Sequence, residues 1–253
     1  MNTHLNSFFV VLARDGEHVR EKIEEIEAYD IPYKVICGEE VDLPNVVYRE
    51  PKGKWDAVNY SRKVIPKDTD VVVFNDVDTK IRNFHYAVDW LRNGADLVYT
   101  KVKVSKGPQI KFYKIMDPIR KRLHMFASGE LMLIRREVLE EVLPVPPCLA
   151  EDSYILFKAL ELGYKAEFCD DAYVETERTT SAEEEKDYKT RTTLGIYQAL
   201  EYANPPFWIN LIYKTLPFIA PFLSIFGEDG EAWSEGIQKA THLHELDAQP
   251  TKF

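Results

Sequence analysis

The stretch "DVVVFNDVDT", residues 70–79, decides how the sequence is interpreted. Its apolar run is typical of a β-strand that is buried on both faces, as in parallel sheets covered by helices. The run ends abruptly in two carboxylates, Asp76 and Asp78. A turn would explain them, because aspartate is a common turn residue. A ligand site just beyond the end of the strand would explain them equally well.

Apolar runs alternate with helix-like segments from the N-terminus to about residue 105. The runs that predict strands are "SFFVVLA" (7–13), "YKVICG" (33–38), "NVVYRE" (45–50), "DVVVF" (70–74) and "DLVYTKV" (96–102). Apolar residues at helical spacing predict helices over 17–29, 54–65 and 83–93. This alternation predicts an α/β fold with a mostly parallel sheet and helices on both faces. Ligands of such sheets bind beyond the carboxyl ends of the strands, where Asp76 and Asp78 lie.

The second half of the chain has a less regular pattern. The segment "ELMLIRREVLEEV" (130–142) predicts a strand that runs into a helix. Further elements are predicted as a helix over 151–163, a strand over 164–170 and a long helix over 181–203. Ser181, followed three residues later by Glu184, forms the capping-box pattern that begins the long helix.

Composition excludes several classes of function. The net charge is −10 and no basic run is present, so we expect no nucleic-acid partner. The three cysteines are widely spaced, which argues against a disulfide framework or a zinc knuckle and favours reduced thiols. The first sixteen residues lack the basic region of a signal peptide. These features predict a cytoplasmic protein.

Residues 205–226, "PPFWINLIYKTLPFIAPFLSIF", are far more apolar than their surroundings. Their length approaches that of a membrane span, but Asn210, Lys214 and four prolines interrupt them. Asn210 and Lys214 share one helical face and leave an apolar face opposite. A helix lying in the membrane interface fits best, which would make the protein peripheral on the inner face of the cell membrane. Packing on the core, a homodimer contact and a true span are the alternatives.

This change in character predicts two regions. Residues 1–204 form the main α/β domain. Residues 205–253 form a C-terminal extension, made of the amphipathic segment 205–226 and a polar tail.

Several polar features have the composition of a binding site. The carboxylates of Asp76 and Asp78 supply the hard oxygen ligands that Mg²⁺ and Mn²⁺ prefer beside substrate phosphates. Gly53 permits close approach of the backbone to a ligand. An acidic pair, 151–152, begins a predicted helix, where the helix dipole alone would also favour it. Two cations, at 189 and 191, lie on the last long helix, where solvated charge is the simpler explanation.

Taken in order, these features resemble the inverting family-2 glycosyltransferases of the GT-A fold. "GKWDAVN" (53–59) resembles that family's GK-x-x-A-x-N, and "VVVFNDVDT" (71–79) its strand followed by a DxD motif. "AEDSYILFKALELGYKAEF" (150–168) resembles its ED helix with the strand that follows. The match covers about residues 5–200. It implies transfer of a sugar from a nucleotide-diphosphate sugar to an acceptor hydroxyl, with inversion at the anomeric carbon.

The resemblance also implies roles for individual residues. Asp152 is implied as the general base with Glu151 beside it, and Asp76 and Asp78 are implied to hold Mn²⁺ or Mg²⁺. The expected acceptor contacts are Ser128, Gly129 and Glu151. The expected donor contacts are Ala13, Arg14, Asp15, Glu39, Gly53, Lys54, Asn59, Asp76, Lys189 and Arg191.

The sequence departs from the family in two places. The second strand ends in Cys37 and Gly38, where the family often has an acidic pair for the nucleotide base, and acids begin only at Glu39. The stretch "YKTRT" (188–192) lacks the Gln and Trp of processive members, so we expect transfer of one or a few sugars. The donor is expected to be a UDP- or GDP-sugar. The apolar segment suggests a lipid-linked or membrane-presented acceptor.

Two other functions compete with this one. A nucleotidyltransferase that makes sugar nucleotides would also use an α/β domain with a metal, but its Gly-rich, Arg-containing loop is absent after the first strand. A non-catalytic module that binds the membrane surface would have a degenerate site. The acids Asp76, Asp78 and Asp152 argue against that second alternative.

Overall fold

A computed structural model describes residues 5–247 and contains one eight-stranded sheet. The strands are β1 Ser7–Ala13, β2 Tyr33–Cys37, β3 Val46–Tyr48, β4 Val71–Asp76, β5 Lys80–Arg82, β6 Leu97–Val104, β7 Leu131–Arg135 and β8 Ala166–Thr176. Their order across the sheet is β3-β2-β1-β4-β7-β6-β8-β5. Strands β3, β2, β1 and β4 are parallel, and β8 is parallel to β6. Strand β7 is antiparallel to both of its neighbours, and β5 is antiparallel to β8.

Helices cover both faces of this sheet, as the sequence predicts. They are α1 Val19–Glu27, α2 Lys54–Ser61, α3 Phe84–Arg92, α4 Gln109–Leu123, α5 Arg136–Val142, α6 Glu151–Glu161, α7 Ala182–Tyr202, α8 Phe207–Ile219 and α9 Glu228–Asp247. A 3₁₀ segment, Ala220–Phe226, joins α8 to α9.

The two faces of the sheet carry two separate apolar cores. Along β1, Phe8 and Val10 belong to the core under α2, α5 and α6, whereas Phe9 and Val11 belong to the core under α1 and α3. Side chains of a strand alternate between faces, so a strand covered on both sides must be apolar throughout. This is why β1 and β4 are continuous apolar runs, and why the polar residues of β4, Asn75 and Asp76, lie at its end.

The sequence analysis missed α4 and stopped β8 too early. Helix α4 contains Pro118, a residue that disfavours a helix interior, although Phe112, Met116, Ile119 and Leu123 recur at helical spacing. Strand β8 continues past Asp170 and Asp171, two exposed acids that suggested an end. It stays paired because its contact with β6 shifts register at Thr100/Lys101 and then resumes.

Residues 228–247 form a helix, whereas the sequence analysis assigned them to a polar tail. Helix α9 packs closely on α7 through small residues: a Cβ atom added at Gly236 would lie 2.7 Å from the carbonyl oxygen of Lys186. Glycine lowers helix propensity, and that is why the pattern suggested a tail. Here the glycines instead allow two helix backbones to approach each other.

We expect Trp233→Ala to destabilise the fold by about 3–5 kcal/mol, as for other buried aromatics. Trp233 is 2% exposed, and its indole Nε1 donates a hydrogen bond to Glu185 Oε1 at 2.9 Å. Urea unfolding followed by circular dichroism measures the change, with the exposed α9 residue His242→Ala as the control. Equal stability of the two variants would show that α9 does not contribute to the core.

Candidate functional site

Three elements meet at the carboxyl end of β4. Helix α2 begins at Lys54, helix α6 begins at Glu151, and the chain before β7 passes between them at Gly129. A cavity of about 1100 Å³ opens here, and it is lined by these residues together with Asp76 and Asp152. Its position agrees with the rule that open α/β sheets bind ligands beyond their carboxyl edge.

The Lys54 ammonium lies at the centre of a group of carboxylates. Its Nζ donates to Asp76 Oδ2 at 2.9 Å and lies 3.0 Å from Glu151 Oε1. The Glu151 side chain is only 7% exposed, so its charge needs a partner. One cation therefore faces several acids from β4 and α6.

Gly129 allows the base of the cavity to close around this group. Its backbone N–H donates to Asp152 Oδ2 at 2.8 Å, and the N–H of Ser153 donates to Asp152 Oδ1 at 2.6 Å. A Cβ atom at position 129 would lie 3.0 Å from Lys54 Nζ and 3.1 Å from Asp152 Cβ. Both carboxylate oxygens of Asp152 are thus held by backbone donors, and the orientation of the side chain is fixed.

Burial and mutual repulsion shift the pKa values of these groups. Burial raises the pKa of Asp152, and Lys54 and the two backbone donors act against that rise. The pKa values of Asp76 and Glu151 are also raised, chiefly by burial. Burial disfavours the charge of Lys54, but the surrounding carboxylates raise its pKa well above the usual value. Lys54 is therefore charged throughout the physiological range.

Comparison with solved structures identifies the architecture, whereas no family model and no curated protein matches the chain. A mannosyltransferase from Pyrobaculum calidifontis, described with GDP-Man and Mn²⁺, superposes with a TM-score of 0.69 at 18% identity. The match covers 98% of this chain and 89% of that one. The chain has the GT-A fold.

Two other GT-A structures have the same architecture. GalNAc-T7, described with UDP, GalNAc and Mn²⁺, gives a TM-score of 0.58 at 13% identity, covering 98% of this chain and 57% of its own. The glucosyl-3-phosphoglycerate synthase of M. tuberculosis gives 0.53 at 20% identity, covering 79% and 82%. At these identities the likeness establishes the fold.

Within this GT-A fold, most of the sequence-predicted site residues line one cavity. These are Gly53, Lys54, Asp76, Asp78, Ser128, Gly129, Glu151, Asp152, Lys189 and Arg191. Five predicted donor contacts lie outside its lining: Ala13, Arg14, Asp15, Glu39 and Asn59.

The loops after β1 and β2 bond to each other beside the cavity. The N–H of Gly38 donates to the Ala13 carbonyl at 3.0 Å, and the N–H of Gly16 donates to Glu39 Oε2 at 3.0 Å. Both loops follow parallel strands at the carboxyl edge of the sheet. Contact of Ala13, Arg14, Asp15 and Glu39 with a nucleotide base stays a prediction.

Asn59 has a structural function that the sequence did not indicate. Its amide donates to the Val145 carbonyl at 2.8 Å and accepts from the Val145 N–H at 2.7 Å. The side chain thereby holds the segment before α6, and direct contact of Asn59 with the donor stays a prediction.

The Ser128 hydroxyl fixes the chain next to the cavity through two buried hydrogen bonds. The hydroxyl donates to the Thr100 carbonyl at 2.9 Å and accepts from Arg120 Nη2 at 2.8 Å. Arg120 is fully buried, 4.6 Å from the centroid of the Phe126 ring and 4.8 Å from that of Phe168. These contacts fix the backbone next to Gly129, and contact of Ser128 with an acceptor stays a prediction.

Lys189 and Arg191 differ from each other. Lys189 is 5% exposed, its Nζ lies 2.9 Å from the centroid of the Phe112 ring, and Glu185 Oε1 is 3.7 Å away. Burial lowers the pKa of Lys189 to about 7. Arg191 is exposed, so it is the better placed of the two to meet an anionic ligand.

Glu130 and Arg178 are site residues that the sequence analysis missed. Their side chains form an ion pair, both line the cavity, and Glu130 Oε2 has no hydrogen-bond partner within residues 5–247. Burial and the nearby charge of Asp76 raise the pKa of Glu130 to about 8, and the Lys54 ammonium acts in the opposite direction. The only signal in the sequence was the position of Glu130 directly after Gly129.

The carboxylates at the end of β4 fit a divalent cation. Asp78 is exposed at the cavity, and Asp76 Oδ1 is a buried oxygen that accepts no hydrogen bond, although Lys54 Nζ lies 2.9 Å away. Hard oxygen donors of this kind suit Mn²⁺ or Mg²⁺. No group of three or more His, Cys, Asp or Glu side chains in the described part of the chain is arranged as a metal site. A cation would therefore need phosphate or water oxygens as further ligands.

We expect Lys54→Met to destabilise the protein by about 3–5 kcal/mol at pH 8, because carboxylates of the cluster then lack a cation. The raised pKa values of Asp76, Glu151 and Asp152 mean that stability falls as pH rises through them. Removing Lys54 raises these pKa values further, so the penalty should be smaller at pH 5 than at pH 8. Urea unfolding at both pH values measures it.

Lys54→Arg is the matched control, because it keeps the positive charge. It should recover most of the stability at pH 8. A penalty for Lys54→Met that is the same at both pH values would contradict the proposed charge balance.

Proposed function

We propose that the protein is a metal-dependent, inverting glycosyltransferase that moves a sugar from a nucleotide-diphosphate sugar to an acceptor hydroxyl. The observation that carries this proposal is the position of Asp152. Its carboxylate is oriented by two backbone donors and faces a large cavity at the carboxyl edge of a GT-A sheet. A fixed carboxylate in such a place is suited to accept the proton of an attacking hydroxyl.

The reaction is a single displacement at the anomeric carbon. The acceptor oxygen forms the new bond to that carbon while its proton passes to the Asp152 carboxylate. The bond between the anomeric carbon and the diphosphate oxygen breaks, and the nucleoside diphosphate leaves with the electron pair. Attack from the face opposite the leaving group inverts the anomeric configuration.

Charge that develops on the leaving diphosphate must also be balanced. A Mn²⁺ or Mg²⁺ ion held by Asp76 and Asp78 would supply positive charge there. Arg191 is an exposed cation in the cavity lining that could also contact the diphosphate, and Lys54 keeps the carboxylates from repelling one another. We infer a UDP- or GDP-sugar as the donor class.

The remaining features support a limited transfer at the cytoplasmic face of a membrane. One segment of the described chain, Phe207–Phe226, is long and apolar enough to span a membrane, and 17% of its most apolar stretch is buried. Pro217 lies inside α8, and the segment continues as a 3₁₀ turn rather than as one regular helix. This favours interfacial contact over a span, and transfer of one or a few sugars.

Incubation with Mn²⁺ and a panel of UDP- and GDP-sugars tests the function. We expect slow release of nucleoside diphosphate with one donor, and loss of this release on addition of a chelator. Asp152→Asn should lower acceptor-dependent turnover by about 10²–10⁴-fold, which is the usual contribution of a general base. Asp78→Ala should abolish both donor turnover and metal-dependent nucleotide binding. Asp89→Asn, an exposed carboxylate on α3, is the control.

Other outcomes of this experiment would contradict the proposal. Pyrophosphate-dependent formation of a nucleoside triphosphate would identify a nucleotidyltransferase. An absence of turnover with every donor, together with intact vesicle binding, would identify a non-catalytic membrane module. A retained anomeric configuration in the product would exclude the single displacement.

The pH profile tests the assignment of Asp152 separately. The base must be ionised, so kcat/KM should rise with pH along a limb above the ordinary aspartate range of about 3.9. Lys54→Met removes a cation that favours the ionised form, so this limb should move to higher pH, and Lys54→Arg should return it. A limb that stays in place in Lys54→Met would show that Asp152 is not the titrating base.

A further inference from the structure

The cavity extends far beyond its carboxylates into an apolar cleft. One wall of this cleft is α4, with Ile115, Ile119 and Leu123, and the other is α8, with Ile212, Leu216 and Ile219. Four of these six side chains, those of Ile115, Ile119, Leu123 and Ile219, are between 37% and 50% exposed, although they line a concave site. A nucleotide sugar is polar and charged, so it does not account for this half of the cavity.

Buried polar contacts fix the positions of α4 and α8. At one end of α4, buried Gln109 donates to Glu185 Oε2 at 2.9 Å, and at the other end buried Arg120 bonds to Ser128. Helix α8 is fixed by the Tyr213 hydroxyl, which donates to the Met125 carbonyl at 2.9 Å. Trp208 Nε1 of α8 also donates to the Leu123 carbonyl at the end of α4, at 3.3 Å. Hydrogen bonds thus fix both helices, so the cleft is a defined feature of the fold.

The cleft opens onto a strongly apolar outer surface. Phe207, Phe218, Phe222 and Ile225 are each more than 70% exposed and come from α8 and the 3₁₀ segment. Leu223 and Phe226 of the same segment line the cavity, so the inner and outer apolar surfaces are continuous. Exposed apolar surface of this extent marks a site of interaction.

The two helices of the cleft carry more positive charge than the chain as a whole, whose net charge is −10, although the exposed acids Glu228 and Glu231 follow the 3₁₀ segment at the start of α9. The two stretches 109–123 and 207–226 contain six cations and one acid. Lys114, Arg122 and Lys214 are exposed and have no ion-pair partner within residues 5–247. Clustered cations beside an apolar helical face favour an anionic lipid surface.

We propose that the acceptor is an amphiphilic lipid whose aliphatic chain lies in the cleft between α4 and α8. Its hydroxyl-bearing head group reaches Asp152, and the protein rests on an anionic bilayer through the exposed residues of α8 and the 3₁₀ segment. The role of the head group as the acceptor rests on the proposed transferase function. The binding of the chain and of the bilayer can be tested without turnover.

Vesicle co-sedimentation of the full chain tests the outer surface. We expect binding to vesicles with 30% phosphatidylserine, at least tenfold weaker binding to pure phosphatidylcholine, and loss of binding in Phe218→Glu/Phe222→Glu. Tyr86→Glu, an exposed aromatic on α3, is the matched control and should bind normally. Failure of the unaltered protein to sediment overturns the proposal. A dimer in gel filtration that Phe218→Glu/Phe222→Glu dissolves, without any vesicle binding, also overturns it.

A pyrene-labelled long-chain alcohol tests the cleft itself. Ile119→Trp and Leu216→Trp place a large ring in the gap, so the affinity for this probe should fall at least tenfold, while binding of UDP or GDP with Mn²⁺ persists. Asp78→Ala should show the reverse pattern. Unchanged probe affinity in both tryptophan variants would overturn the proposal. A protein that binds the probe in the cleft but shows no donor turnover would refute the transferase function and leave the lipid site intact.

Discussion

The site depends on one constraint, which is that a buried group of carboxylates must share the charge of Lys54. The ammonium contacts Asp76 from β4 and Glu151 from α6, so it joins two elements that the chain brings together from distant positions. Glu151 is almost completely buried, and an unpaired charge there would be costly. Gly129 makes the arrangement possible, because any side chain at that position would crowd both Lys54 and Asp152.

The central strands β1 and β4 place these groups at one edge of the sheet because their covered length is apolar. Strands β1 and β4 are apolar along their full covered length, since α1, α3 and α2, α5, α6 bury opposite faces. Acids can therefore follow β4 only after it leaves the core. The starts of α2 and α6 lie at the same edge, where helix dipoles favour negative charge. Topology and electrostatics thus select the same location for the cavity.

Sequence patterns predicted the parts of the molecule that depend on local periodicity. The continuous strand β1, the strand–helix pair β7–α5 and the position of Asp76, Asp78 and Asp152 follow from such patterns. The patterns could not predict Glu130 and Arg178, because only long-range packing buries that ion pair. They also missed α4 and α9, whose proline and glycines disfavour a helix interior while tertiary contacts hold the helices in place.

Lys54 and Lys189 both line the cavity, but their surroundings shift their pKa values in opposite directions. Lys54 faces several carboxylates, which raise its pKa in spite of burial. Lys189 has a single acidic partner, Glu185, with Arg178 and Arg120 nearby, and its pKa falls to about 7. Glu185 is itself bonded to Gln109 and Trp233, so Lys189 belongs to the packing that joins α4, α7 and α9. The sequence paired Lys189 with Arg191, but the two differ in burial: Lys189 is buried among aromatic rings, whereas Arg191 is exposed. Contact of either with a diphosphate stays a prediction.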